Sequence, residues 1–357
     1  MTSVLEPKNL VVTSPLANLK LRDIIKTLPR EVFLKDRVKA WTMVAVNVLM
    51  VALGYFSLAI SPWYLLPLAW VFTGTALTGF FVLGHDCGHR SFANRHWVND
   101  LVGHLTFLPL IYPFHGWRIQ HNYHHKHTNK MTEDNAWQPW LAESYDEANP
   151  ALKWFYRLIR GRFWWIGSIA HWAVMHFDWR RFSGKQREQV KFSALFVIIG
   201  AAIGFPILIA TTGITGLIKF WLMPWLVYHF WMSTFTLVHH TMPDIAFHYP
   251  DEWHEATAQL TGTVHCDYPG WVEFLCHDIN VHVPHHLSTA IPSYNLRKAH
   301  QVLREKWGPY LYETKFSWQL MKDIGDQCHL YSDVNGYESF QEHEDKKYRA
   351  NLSKMSR

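Results

Sequence analysis

Residues 40 to 84 contain no Asp, Glu, Lys or Arg, and between 192 and 238 the only such residue is Lys219. A helix crossing a hydrocarbon core about 30 Å thick needs about 20 predominantly apolar residues, so each uncharged run has room for two spans and a tight turn. The pattern predicts helices over 40–60 and 63–84, turning at Ser61 and Pro62. It predicts a second hairpin over 192–212 and 217–238, turning through Gly213 and Gly216. Trp41, Trp63, Tyr64 and Trp70 suit the membrane–water interface, where amphipathic rings collect. Pro206 and Pro224 are tolerated inside such helices when neighbours satisfy the freed carbonyls. Two soluble domains, which 357 residues would allow, are incompatible with charge distributed so unevenly. A cleaved signal is not expected, because the first apolar run starts near residue 40.

Of the 34 Lys and Arg, 33 lie in 1–39, 85–191 and 239–357, the segments left outside the two hairpins. The positive-inside rule then places all three in the cytoplasm, with both termini. The expected organisation is a cytoplasmic N-terminal segment (1–39), a transmembrane hairpin (40–84), a cytoplasmic region (85–191), a second hairpin (192–238) and a cytoplasmic C-terminal region (239–357). The fold class is an all-α integral membrane protein with four spans carrying a cytoplasmic helical domain. Segment 101–114 is apolar but too short to span, which suggests a re-entrant, interfacial or buried core helix. The Trp-rich segment 163–177 reads as interfacial or as a core helix, and 341–357 reads as a frayed charged tail. Four Cys without CxxC spacing exclude a disulfide scaffold or a structural zinc module, and reduced thiols are expected. No Lys/Arg cluster resembles a nucleic-acid footprint.

Histidine is the other constraint. Of 24 His, none precedes residue 85 and 22 lie between 85 and 300. The second predicted span runs into His85-Asp86-Cys87-Gly88-His89, and His at i and i+4 lie about 40° apart around a helix. His121-Asn122-Tyr123-His124-His125 places His at i, i+3 and i+4, and His282-Val283-Pro284-His285-His286 repeats that spacing. Three such boxes on one side of the anchors point to a shared metal site. Their eight imidazoles exceed what one ion holds, so two metals are implied; imidazole alone does not choose among zinc, iron, copper and nickel. Pro284 biases Val283 away from α geometry, so a helix is expected to begin near Pro284 with His282 just before it. His239 and His240 end the fourth predicted span beside the second, and one of them is expected to be a ligand. Asp86, Asp134 and Asn280 are candidates to orient imidazole N–H groups, although capping or turn chemistry explains them equally. His96, His248, His254, His300, His329 and His343 read as surface groups, and His104 and His115 as members of local hydrogen bonds or supports behind the ligands.

HDCGH, HNYHH and HVPHH, in that order, resemble the three His boxes of the integral membrane fatty-acid desaturases. The stretches HTNKMTEDNAWQPW, WLMPWLVYHFWMSTFTLVHHTMP and GTVHCDYPGWVEFLCHDINVHVPHHLSTAIPSYNLR are similar to the cyanobacterial Δ12 acyl-lipid desaturases, and the resemblance covers roughly residues 18 to 340. It implies a di-iron centre held by His85, His89, His121, His124, His125, His282, His285 and His286, with His240 as the ligand from the fourth span and His239 as runner-up. It also implies O2 and two electrons from a separate donor, ferredoxin, acting on oleoyl chains of membrane glycerolipids to give linoleoyl chains. The location it implies is the cyanobacterial plasma and thylakoid membranes.

No hydrolase elbow, Walker A loop or GxGxxG turn accompanies the boxes, and the chain lacks the HPGG haem motif of a fused cytochrome domain. Segment 101–114 and the helix ends 80–84 and 230–238 are candidates for the acyl channel. Residue spacing leaves a Δ15 desaturase and a fatty-acyl hydroxylase open, since both can use the same ligands. A metal carrier or haem protein would need polar or His-lined spans, yet His229 is the only His within the four predicted helices.

Overall fold

The computed structural model describes residues 16, 19–332 and 336–355; the first part of segment 1–39 and the chain's last two residues lie outside them. Three helices are long and apolar enough to cross a membrane: Arg37–Ile60, Trp63–Gly88 and Gly184–His240. The first begins where the Asp36 carboxylate accepts the N–H groups of Val38 and Lys39 at 2.8 and 3.1 Å, which satisfies two of its free donors. It ends at Ser61, before a proline that cannot continue it. Its buried residues, Ala40, Asn47, Val51, Gly54 and Leu58, recur every three, four or seven positions and form one stripe. Val48, Leu49, Leu53, Phe56 and Ile60 face outward, as a lipid-facing surface requires.

The second helix continues through Gly88, four residues beyond the predicted end, so His85 lies within the helix and His89 caps it. From Thr73 onward almost every residue is buried, because other segments pack on all its sides. That packing depends on missing side chains. A Cβ at Gly79 would overlap the Leu275 carbonyl and lie 2.6 Å from Asn47 Oδ1, and a Cβ at Gly84 would overlap the Phe107 ring. Polar bonds add registration: Asn47 Nδ2 donates to Ala76 O at 2.9 Å, and Trp231 Nε1 donates to Thr75 Oγ1 at 2.8 Å.

Gly184–His240 is not one continuous helix. As one straight helix its 57 residues would be about 86 Å long, far beyond a bilayer core. Gly213 has φ +71° and ψ 179°, which interrupts the helical path. Phe205 and Trp221, about 24 Å apart on a straight helix, have ring centroids 4.6 Å apart. The chain therefore folds back on itself at Gly213. The helix also begins at Gly184 rather than 192, because 184–191 supplies a further two turns of polar helix.

The short apolar segment forms the helix His96–Phe107 followed by a knee at 108–111. Trp97, Leu101 and Leu105 point outward while Val102, Gly103, Thr106 and Phe107 pack inward. The knee carbonyls of Pro109, Leu110 and Ile111 each accept an indole N–H, from Trp221 (3.2 Å), Trp225 (2.9 Å) and Trp172 (2.8 Å). Buried irregular backbone away from water needs such donors. Within 163–177, Gly167–Met175 is helical and half-buried, and Ser168 donates to the His229 carbonyl at 2.9 Å.

The all-α expectation is corrected by five short strands among the described residues. Val264–Asp267 pairs in parallel with Tyr312–Lys315, and Trp140–Leu141, Leu330–Ser332 and Gly336–Glu338 form a second small sheet. They fasten the C-terminal region to the segments that follow the second His box and precede the third. The run expected as a frayed tail is helical over Phe340–Met355.

Because the second helix is enclosed on all sides, Gly79→Leu should lower the folded fraction in detergent by about 1–3 kcal/mol of overpacking. Gly204→Ala, where no atom lies within 4 Å of the new Cβ, should not. Thermal unfolding of the two purified variants checks this.

Candidate metal centre

Each His box is carried by a helix whose local sequence fixes where it starts or stops. Phe114–His127 begins after Pro113 and ends at Thr128, whose hydroxyl donates back to His124 O at 3.0 Å. The third box is a six-residue helix, His282–Leu287, so His282 is its first residue rather than a preceding one. Pro284 falls in the first turn, where its missing N–H costs nothing.

The boxes converge into two adjoining groups. His85, His89, His121, His125 and His285 form one, and His124, His240 and His286 form the other; within each, one ring nitrogen from every residue lies within 4.8 Å of all the rest. His282 joins the second group through its Nε2, 2.9 Å from His240 Nε2. The groups touch where the His125 and His286 rings stack with centroids 4.2 Å apart. Residue by residue these are the nine expected ligand candidates, with His240 and not His239 at the nitrogen cluster.

The i, i+3, i+4 spacing of the second box suggests one shared face, but in the structure both HxxHH boxes divide between the two groups. His121 and His125, at i and i+4, enter the first group, while His124 enters the second. In the third box His282 and His286 serve the second group and His285 the first. Adjacent helical residues project about 100° apart, so each His-His doublet divides between two sites.

The tautomers explain what the groups can hold. His124 Nδ1 donates to Asp134 Oδ1 at 2.6 Å, and His286 Nδ1 donates to Gln259 Oε1 at 2.9 Å. Both rings therefore carry their proton on Nδ1 and present an unprotonated Nε2 inward. His124 Nε2 lies 3.2 Å from His240 Nε2, and His286 Nε2 has no hydrogen-bond partner. In the first group His85 Nε2 faces His285 Nε2 at 3.1 Å, as His121 Nε2 faces His125 Nε2. Two nitrogens each about 2.1 Å from one ion and at a right angle would be about 3.0 Å apart, so these spacings suit a shared cation. Burial, and after it the neighbouring imidazoles, holds His121, His125, His282, His285 and His286 well below the usual imidazole range. They are neutral near pH 7, the state that binds metal.

The supporting residues divide unevenly. Asp134 orients His124 and also accepts the Asn129 and Ala136 N–H groups at 2.7 and 2.9 Å, so its turn role and its imidazole role coexist. Asp86 Oδ2 accepts the Ser293 N–H and hydroxyl at 2.9 and 2.8 Å, with its other oxygen 3.5 Å from His85 Nδ1. It ties the first box to the chain just after the third. Asn280 orients no imidazole: its Nδ2 donates to Cys266 O and Glu273 Oε1, both at 3.0 Å, which fixes the loop before the third box. His239 stacks on His282 with centroids 4.1 Å apart and serves as packing behind it. Gln259 was not singled out by sequence, since a lone Gln on a short helix carries no motif; it holds His286 and also donates to His125 O at 2.5 Å.

Of the remaining His, His96 and His254 are exposed as expected. His300 and His329 are buried instead, donating from Nε2 to Glu313 and to the Gly325 carbonyl, each at 2.7 Å. His104 donates from Nδ1 to Asp100 O at 2.6 Å and meets Ser193 Oγ at 2.8 Å, a local role. Beneath the first group lies an aromatic floor: Trp117 stacks on His121 at 4.6 Å, with Phe81, Phe107 and Tyr112 behind it.

Comparison with known proteins agrees with this geometry. Residues 61–318 match the family described as fatty acid desaturase. The chain is 62% identical over 345 residues to the sn-1 oleoyl-lipid 12-desaturase of Picosynechococcus sp., covering 96% of this chain and 99% of that one. It is 64% identical over 307 residues to the protein of that name from Arthrospira platensis, covering 86% and 88%. Against the chloroplastic omega-6 fatty acid desaturase of Glycine max it is 55% identical over 321 residues, covering 90% and 76%. A family match over most of the chain, together with relatives this similar from end to end, means that the chain belongs to the fatty acid desaturase family.

Proposed function

We propose that this protein introduces a cis double bond at Δ12 of an oleoyl chain esterified to a membrane glycerolipid, at sn-1 as the names of its relatives suggest. The enzyme is an oxidoreductase of the acyl-lipid desaturase type. The observation that carries the metal reading is the convergence of ring nitrogens from three His boxes and His240 in two adjoining groups, several of them about 3 Å apart, with His124 and His286 turning unprotonated Nε2 atoms inward. His85, His89, His121, His125 and His285 would hold one iron, and His124, His240, His282 and His286 the other. Iron bound there supplies the activation of O2 with two electrons from a separate donor, for which ferredoxin is the family expectation. In the overall reaction two hydrogens leave the chain, and O2 leaves as two waters after taking up two external electrons and two protons.

The residues of the chain do the positioning. Asp134 and Gln259 fix the tautomers of His124 and His286, so the nitrogens that these two rings turn inward are lone pairs from the outset. Trp117, Phe81, Phe107 and Tyr112 give the first group an apolar underside on which methylenes can lie and from which water is excluded. Of the candidate channel segments, 80–84 and 101–114 meet at this floor, whereas much of 230–238 packs in a separate apolar cluster with Trp164 and Val264. The substrate is a membrane lipid, and His85 and His240 lie at the ends of helices apolar enough to cross a membrane.

For topology we propose four spans, with Gly184–His240 crossing twice by reversing at Gly213, and all His boxes on the cytoplasmic side. In a background lacking the native Cys, Asp251→Cys should be labelled by an impermeant reagent from the cytoplasmic face and Thr212→Cys from the opposite face. Labelling of both from one face would overturn the arrangement.

Vesicles containing oleoyl lipids, supplied with ferredoxin, its reductase and NADPH, should yield linoleoyl lipids detectable by mass spectrometry. A hydroxylated or Δ15 product would contradict the assignment.

His124→Ala and His285→Ala should each abolish turnover and reduce iron from two per chain, while membrane insertion persists. Asp134→Asn should weaken iron retention about 10–100-fold, because the amide no longer holds the Nδ1 proton of His124 as a carboxylate does. Iron content after graded chelation checks both.

A further inference from the structure

On the side of Phe114–His127 away from the His groups is a cleft of about 620 Å³, with Arg90, Asp100, Arg118, Asn122, Lys126 and Lys185 among its lining residues. Four cations face one carboxylate. Asp100 is engaged by Arg90 at 2.7 Å, which leaves the other three cations uncompensated by it. Arg118 spends its donors on neutral partners, His115 Nδ1 and Gln189 Oε1, both at 3.1 Å. Lys126 and Lys185 are exposed on the rim, and neither has a carboxylate partner among the described residues. A concave surface of one sign concentrates field lines and speeds encounter with an oppositely charged partner.

The position of the cleft narrows what that partner is. Asn122 lines it and also neighbours the His89 ring of the first group. His121 and His125, on the same helix as Asn122 and Lys126, belong to that group. A group seated in the cleft is therefore within about one helix width, 10–12 Å, of the nearest imidazoles. That distance is too short for a lipid headgroup whose extended chain must bring its twelfth carbon to the same imidazoles. It is well suited to electron transfer, whose rate falls steeply with distance. The reaction proposed above needs two electrons from outside, and the sequence carries no fused haem motif to supply them.

We propose that this cleft is the docking site of an acidic one-electron carrier protein, with Lys126, Lys185 and Arg118 meeting carboxylates on its surface and electrons passing by Asn122 to the His89 side of the first group. The inference rests on the desaturase reading for its purpose. Each turnover takes one electron from each of two reduced carriers, which leave oxidised, while O2 and two protons become two waters with the two hydrogens taken from the chain.

The test uses the full-length, iron-loaded protein in oleoyl-lipid vesicles, with reduced plant-type ferredoxin as the probe. Lys126→Glu combined with Lys185→Glu should raise the KM for ferredoxin about tenfold or more and flatten its salt dependence, with kcat at saturating ferredoxin retained. Lys126→Arg with Lys185→Arg should stay near wild type. Turnover driven by dithionite and methyl viologen should be unchanged in every variant, which separates docking from folding and from lipid binding. Direct binding of ferredoxin at low ionic strength is read independently of turnover, so failure of the desaturation reading is distinguishable from failure of the docking site. An unchanged KM and binding constant in the Glu variant, or an equal loss with the chemical reductant, would overturn the proposal. So would dependence of that loss on anionic lipid in the vesicles.

Discussion

The fold depends on bringing imidazoles from four separate segments together, with several ring nitrogens about 3 Å apart in a largely buried site. His124 and His286 turn unprotonated Nε2 atoms toward it, because their Nδ1 protons are committed to Asp134 and Gln259. A buried unpaired polar group costs about 1–3 kcal/mol, so a cluster of them is tolerable only if a cation completes it or the surrounding packing holds it open. Both conditions shape the rest of the molecule. The enclosed second helix, the indole-capped knee at 109–111 and the Asp86–Ser293 bonds all position segments that carry, or lie directly behind, the His groups.

The division of the boxes between two sites follows from helix geometry. An i,i+4 pair stays within about 40° and supplies one site, while the adjacent His is turned by about 100° and supplies the next. The second and third boxes use this in reciprocal fashion, two ligand candidates to one group and one to the other. Two adjoining groups of imidazoles thus follow from the repeated HxxHH spacing, once two such helices face each other across the site.

The membrane anchors contribute more than attachment. Their outward faces carry exposed Val, Leu, Ile and Phe, while the inward faces use Gly, Thr and Ala to let backbones approach. Close approach at Gly79 and Gly84 brings Leu275 and Phe107 against the helix that carries His85. The aromatic floor of Phe81, Phe107, Tyr112 and Trp117 then follows as a consequence of that packing, and it gives the site an apolar side and a polar side.

The sequence alone was sufficient for the charge-free runs and the His boxes, because hydropathy and helical spacing are local properties read within about 20 residues. It also contained Asp134 as a candidate, since a carboxylate ten residues after His124 can return to it through a turn. It could not assign individual His to sites: three imidazoles spaced i, i+3 and i+4 look like one face until two opposing helices and the His240 helix divide them. Gln259, 134 residues from the His125 carbonyl it bonds, was beyond any local signal. Asn280, chosen for its nearness to the third box in sequence, points to Cys266 and Glu273 instead. His300 and His329 read as surface groups in the sequence, because burial depends on segments far away in the chain. Ligand type and approximate position are encoded by neighbours along the chain; ligand pairing, tautomer and burial depend on groups from distant segments and are fixed only when those segments pack.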